Sequence, residues 1–158
     1  MRILRAYADT SIFGGALDEE FAEPTKRFFD RVQQGRFRVL VSQITADELT
    51  DAPLAVRAIA ENLAGTNMER VVADPEAANL AEAYIEAGAL GAAHRADAMH
   101  VAAATVARAD LILSWNFKHI VNLDRIRKFN AVNLMRGYPA VEIRSPLEVE
   151  HGDEDEDV

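Results

Sequence analysis

RADAMHVAAATVARADLILSWNFKHIVN, residues 95–122, places an alanine-rich helical stretch directly before a short apolar strand. The helix is expected over residues 96–109, where small side chains suit close packing on a sheet. DLILSW, residues 110–115, reads as a buried strand. The same alternation extends outward. Residues 3–9 read as a strand ending at Asp9-Thr10-Ser11. Residues 23–34 read as a helix with Phe28, Phe29 and Val32 on one face and Gly35 as its stop. FRVLVS, residues 37–42, is a second buried strand, and Ser42 reads as a cap for a helix over 43–49 that carries Glu48. A short helix follows over 54–63, then a short strand over 69–73. Asp74-Pro75 opens a helix that runs to about residue 87 and stops at Gly88. A short helix over 123–129 and a strand over 140–144 complete the order. This succession implies one α/β domain over residues 1–149, with a mainly parallel central sheet of four to five strands covered by helices on both faces.

Composition is consistent with one packed core. The chain has 158 residues, 49% of them hydrophobic. It has no cysteine, which excludes disulfides and thiolate metal sites. The apolar N-terminal run is broken by Arg2, Arg5 and Asp9, so it does not read as a signal peptide. No apolar run is long enough to span a bilayer, and a cytoplasmic protein is expected. Net charge is −9, but the run Asp153–Asp157 holds five of the 26 acids; without it 21 acids face 17 bases, a balance of −4. Residues 150–158 therefore read as an acidic, disordered tail. Any nucleic-acid contact would need a local basic patch and a cation. Arg95, Lys118, Arg125, Arg127 and Lys128 are the candidates for that patch.

In a parallel sheet the functional site lies beyond the carboxyl ends of the strands. Asp9 and Asn116 each follow a strand directly; Glu48 and Asp97 open helices nearby. Carboxylates gathered there without Arg or Lys repel one another, and a divalent cation relieves the repulsion. Oxygen donors suit Mg²⁺ or Mn²⁺, and such an ion supports phosphodiester hydrolysis. Each residue also has a plainer role: Asp9 as a cap or turn residue, Glu48 as a solvated helix residue, Asp97 as an acid at a helix start. Asp110, at the opposite strand end, reads as a turn residue. His100 could touch the site, though packing or capping is its simpler role; His94 and His119 read as exposed loop residues. Ser11 shows no His–Asp arrangement around it, which argues against a serine hydrolase.

YADTSIFGG around Asp9, ITADEL around Glu48, residues 95–122 around Asp97 and Asn116, and NAVNLMRGY at 130–138 together resemble VapC-like PIN-domain proteins, the toxin class of type II toxin–antitoxin pairs. The resemblance spans about residues 3–148. It implies a PIN-like three-layer α/β/α fold and Mg²⁺- or Mn²⁺-dependent ribonuclease activity. By the same resemblance, Asp9, Glu48 and Asp97 are the acidic metal ligands, and Thr10 is the hydroxyl residue that follows the first acid. The family's fourth acid stands in a T-x-D context; here it reads Ser114-Trp115-Asn116, so Asn116 takes the catalytic and metal-binding position with Ser114 in support. The lost charge implies a weaker second metal site, for which Asp124 is an alternative donor. Arg95 and Lys118 are the expected substrate-binding residues. RNA, a homodimer partner and an inhibiting antitoxin are the implied partners. A catalytically weak or inactive RNA-binding module and a DNA nuclease are the alternatives.

Overall fold

The computed structural model describes residues 2–65 and 67–149. The elements are β1 (Leu4–Ala8), α1 (Thr10–Gly15), α2 (Ala22–Gln33), β2 (Phe37–Ser42), α3 (Gln43–Thr50), α4 (Leu54–Leu63), β3 (Met68–Val71), α5 (Pro75–Glu86), a 3₁₀ turn (Ala92–His94), α6 (Arg95–Val106), β4 (Leu111–Leu113), α7 (Leu123–Met135), β5 (Glu142–Arg144) and α8 (Pro146–Val149). The strands form one sheet in the order β3-β2-β1-β4-β5, and all four pairings are parallel. The three-layer α/β/α architecture is the one expected, with five strands.

Strand pleating divides the core in two. Tyr7 pairs with Leu40 and with Ile112, and Ile112 with Ile143, so these four form a row on one face. There they meet Leu80 and Tyr84 of α5, Ala98, Val101 and Ala102 of α6, and Phe129 of α7. Ala6, Ala8, Val39, Leu111 and Leu113 point to the other face, where Phe13, Phe28, Phe29, Val32 and Trp115 supply the volume. Phe28 meets Phe37 edge-on at 5.3 Å, and Phe21 stacks on Trp115 at 4.1 Å.

Local chemistry sets the element ends. Asp74 Oδ1 accepts the Ala77 N–H at 3.1 Å, the cap expected from Asp-Pro. Asn122 Oδ1 does the same for Arg125 at 3.3 Å. Gly35, with φ of +80°, turns the chain out of α2 into β2. Besides α8 and the 3₁₀ turn, which the sequence reading did not include, three features depart from it. Residues 10–15 form a helix, α1, where only a turn or cap was expected. α7 runs on to Met135 instead of ending near residue 129; the extra turns bury Val132 and Asn133, and Asn133 Oδ1 accepts the Tyr84 hydroxyl at 2.5 Å. A polar residue in a core position hid that continuation. Asp110 is more than a turn residue: it accepts the Arg5 N–H at 2.8 Å and pairs with Arg2, tying β4 to β1. The acidic-tail reading of residues 150–158 lies outside the described residues. Among the described residues no helix is long and apolar enough to cross a membrane.

α1 owes its place to Gly15. A Cβ there would lie 2.6 Å from the Trp115 indole nitrogen and 2.9 Å from Thr25 Oγ1, which are themselves hydrogen-bonded at 2.9 Å. Gly14, its neighbour, has nothing within 4 Å of the same position. Gly15→Ala should therefore destabilise the fold by about 1–3 kcal/mol through overpacking, whereas Gly14→Ala should be neutral or stabilise by up to about 1 kcal/mol. Urea denaturation of both variants checks this, and equal midpoints would contradict the close approach.

Candidate active site

The chain passes from β1 to β2 and β3 on one side of the sheet, then crosses to β4 and β5 on the other. The reversal makes β1 and β4 a topological switch point, where the carboxyl ends of adjacent strands leave a crevice. Asp9 leaves β1 and Ser114 leaves β4 at this point. Asp9 occupies the N-cap position of α1, yet its side chain makes no cap hydrogen bond. Instead Oδ1 accepts from Ser11 Oγ at 2.5 Å and Oδ2 from Ser114 Oγ at 2.7 Å. Each hydroxyl has one proton to give, and each is oriented by a backbone N–H that it accepts: Trp115 onto Ser11 Oγ and Asn116 onto Ser114 Oγ, both at 2.9 Å. The carboxylate is 4% exposed. Burial pushes the Asp9 carboxyl above its ordinary range, while His100 and the two hydroxyls pull it down and Asp97 adds to the rise.

Glu48 stands across from Asp9 on α3. Its Oε1 accepts Thr10 Oγ1 at 3.1 Å and lies 2.5 Å from His100 Nε2. His100, 2% exposed, reaches the Tyr7 hydroxyl with Nδ1 at 2.7 Å, and Tyr7 reaches Ser42 Oγ at 2.7 Å. With Glu48 ionised, one consistent set of donors runs Ser42 to Tyr7 to His100 to Glu48. The His100 hydrogen bond holds the Glu48 carboxyl below its ordinary range. Burial pushes the Tyr7 hydroxyl up to about 12, so it remains a donor. Ser42, expected to cap α3, makes no side-chain cap bond; its hydroxyl is turned to Tyr7 instead.

Asp97 lies in the first turn of α6, with Oδ2 3.2 Å from His119 Nδ1. The His119 ring stacks on His94 at 3.7 Å. These histidines were expected to be exposed loop residues, but both are half-buried and bracket Asp97. Burial, and then His94, hold His119 below its ordinary range. The Asn116 side-chain oxygen accepts the His119 N–H at 2.9 Å, closing the turn after β4.

The rim thus carries Asp9, Glu48 and Asp97, none in an ion pair with Arg or Lys among the described residues. Each has its own uncharged or histidine partner. Among the described residues, the only three His or acidic ligand atoms that lie within 4.8 Å of one another belong to His94, Asp97 and His119. Of the expected phosphate contacts, Arg95 pairs with Glu82 on α5, and Lys118 is exposed on the loop after β4. Arg125 spends its guanidinium on the backbone oxygens of Lys118 and Ala89. Asp124, Arg127 and Lys128 are exposed on α7. Sequence reading missed Ser11 as a ligand of Asp9, because a hydroxyl two residues beyond an acid has no distinctive spacing. It also separated His119 from Asp97, although His94 and Asp97 stand three residues apart, a spacing that places side chains on one helical face.

No family model matches the chain, and no curated protein matches it. Solved structures do. The chain is similar to one in VapBC2 from Rickettsia felis bound to a DNA fragment from its promoter, with a TM-score of 0.58 and 11% identity, covering 90% of this chain and 98% of that one. FitAcB from Neisseria gonorrhoeae gives 0.55 and 17%, covering 90% and 98%. FitAB bound to an IR36 DNA fragment gives 0.58 and 17%, covering 93% and 99%. At these identities the likeness is one of fold.

The sign of the Asp9 shift has a measurable consequence. A carboxyl whose folded pKa lies above its unfolded one destabilises the fold when ionised. That penalty is full above the folded pKa, shrinks as pH falls, and is gone below the unfolded value. Asp9→Asn should therefore melt at a higher temperature than the parent at pH 7–8, with the gap closing as pH falls through the carboxylate range. Thermal melts across pH check it; a variant less stable than the parent at pH 8 contradicts the assignment.

Proposed function

We propose that this protein is a metal-dependent endoribonuclease of the PIN type, acting as the toxin of a type II toxin–antitoxin pair. The observation that carries the reading is Asp9: a buried carboxylate with no basic ion-pair partner, at the switch point of a parallel sheet, with Asp97 in its electrostatic field and Glu48 opposite. The donor set is oxygen, which fits a hard divalent ion, Mg²⁺ or Mn²⁺. Asp9, Glu48 and Asp97 would hold it, with Asn116 in the fourth position. When bound, such an ion supplies charge neutralisation at phosphate and a more acidic water. The chain's own contribution is preorganisation. Ser11 and Ser114 hold both Asp9 oxygens. Thr10 and His100 hold Glu48, whose side chain is 41% exposed and so open to the rim. Lys118, and Arg95 once released from Glu82, would contact the RNA backbone.

A small DNA-binding antitoxin is the partner we extend to this chain from VapBC2 and FitAB, whose structures include DNA. An apolar groove lined by Phe13, Val41, Thr45, Leu49 and Met68, bordered by the helix that carries Glu48, would seat it. A homodimer and a cytoplasmic location complete the reading.

One observation favours the catalytically weak alternative, an RNA-binding module with a degenerate site. The oxygens of Asp9, Glu48 and Asp97 do not form a cluster within 4.8 Å, and Asn116 already spends its oxygen on a turn. Direct coordination by all three acids needs their oxygens to come closer together than they stand here.

Incubation of the purified protein with mixed RNA and Mn²⁺ separates the readings. The nuclease reading expects cleavage that Asp9→Asn lowers by about 100-fold or more, an effect on the order of a lost charge stabiliser. It also expects Mn²⁺ to raise the melting temperature, equivalent to about 2.7 kcal/mol at a hundredfold excess over Kd. Equal cleavage by parent and variant would falsify the assignment.

A further inference from the structure

We infer that His94, Asp97 and His119 form a second metal site, of mixed imidazole and carboxylate donors, that takes a zinc-class divalent ion. It shares Asp97 with the proposed nuclease rim but is otherwise separate from it. The ligand atoms of the three residues already lie within 4.8 Å of one another. Donors at about 2.0–2.1 Å around a tetrahedral ion stand roughly 3.4 Å apart, so closure needs movements of about 1.4 Å at most.

The backbone that carries these side chains is fixed. His94 sits at the N-cap of α6, with its N–H bonded to Gly91 O at 3.0 Å. Asp97 follows three residues later on the first turn. His119 comes from the loop after β4, where its N–H is held by Asn116 Oδ1 at 2.9 Å. One ligand at the N-cap of α6, a second three residues on in its first turn and a third from an adjoining loop leave a fourth position open to water. The side chains of His119 and Asp97 are 14% and 23% exposed, so an ion can enter without unfolding.

Donor chemistry then selects the ion. Two imidazoles and one carboxylate favour Zn²⁺, Co²⁺ or Ni²⁺ over Mg²⁺, which prefers oxygen. His100, the other described histidine, is buried and committed to Tyr7 and Glu48, so it does not compete. The Asn116 oxygen has a structural counterpart here: by bonding the His119 N–H it helps set where that ring stands.

The test uses the full chain and the metal alone. Zn²⁺ affinity is measured by competition with a chromophoric chelator, and Co²⁺ binding by visible absorption, whose intensity reports a tetrahedral site. The parent should bind one Zn²⁺, and His94→Ala and His119→Ala should each weaken it at least 10-fold. Both side chains lie outside the core, and His94→Gln and His119→Gln, with unchanged thermal melts, guard against misfolding. Asp9→Asn should keep the affinity within about 3-fold. His151 and the terminal acids remain in every variant, so an affinity unchanged by the histidine substitutions would assign the ion to the tail and overturn the site. Loss in Asp9→Asn equal to that in the histidine variants would assign it to the acidic rim and overturn it as well, as would no binding by the parent. None of these readouts uses RNA, so failure of the nuclease reading shows separately, in the cleavage assay.

Discussion

A buried carboxylate held by two serine hydroxyls joins the halves of this molecule. Asp9 ends β1, and Ser114 lies just past β4, on the other side of the switch in strand order. The Asp9 side chain is almost wholly buried, so its charge is met mainly by what the chain brings to it. Ser11 and Ser114 do so, and each is in turn oriented by a backbone N–H from the segment after β4. Removing either hydroxyl would leave an unmet acceptor in a dry place. The local geometry of α1, of the Trp115 turn and of Gly15 beneath the indole follows from that linkage.

The histidines change the electrostatics of the rim. Three acids on one edge imply strong mutual repulsion when only the acids are considered. His100 and His119 each stand against one of them, and His100 also lowers the Asp9 carboxyl. The hydrogen bond from His100 therefore steadies the Glu48 carboxylate within the chain. Glu48 in particular is drawn toward the Tyr7–His100 pair and held below its ordinary range. This trades some freedom of the ligand for order: a preorganised carboxylate loses less entropy when a cation or phosphate arrives.

Much of the architecture was legible in residue patterning. FRVLVS and LIL are apolar and β-rich, and both are strands. Asp74-Pro75 opens a helix through the cap bond that this dipeptide offers. α1 was hidden because residues 10–15 contain two glycines and two hydroxyl residues, poor helix formers whose conformation is set by packing under Trp115. The end of α7 was hidden by Asn133, a buried amide satisfied by Tyr84 from another helix. Placing Asp9 and Asn116 at strand ends required only the parallel sheet. The partners of these residues could not be read, since Ser114 lies 105 positions from Asp9 and His100 lies 52 from Glu48.

The sequence by itself determined the order of the strands and of the longer helices, the edge at which the acids stand and the absence of thiol chemistry. These follow from periodicity, capping and composition, all local properties of the chain. Only the tertiary structure decided which side chains meet: the serines on Asp9, the histidine on Glu48, the imidazole pair beside Asp97. Hydrogen bonds across a sheet edge depend on distances between segments far apart in sequence, and those distances are set by core packing that no short stretch encodes.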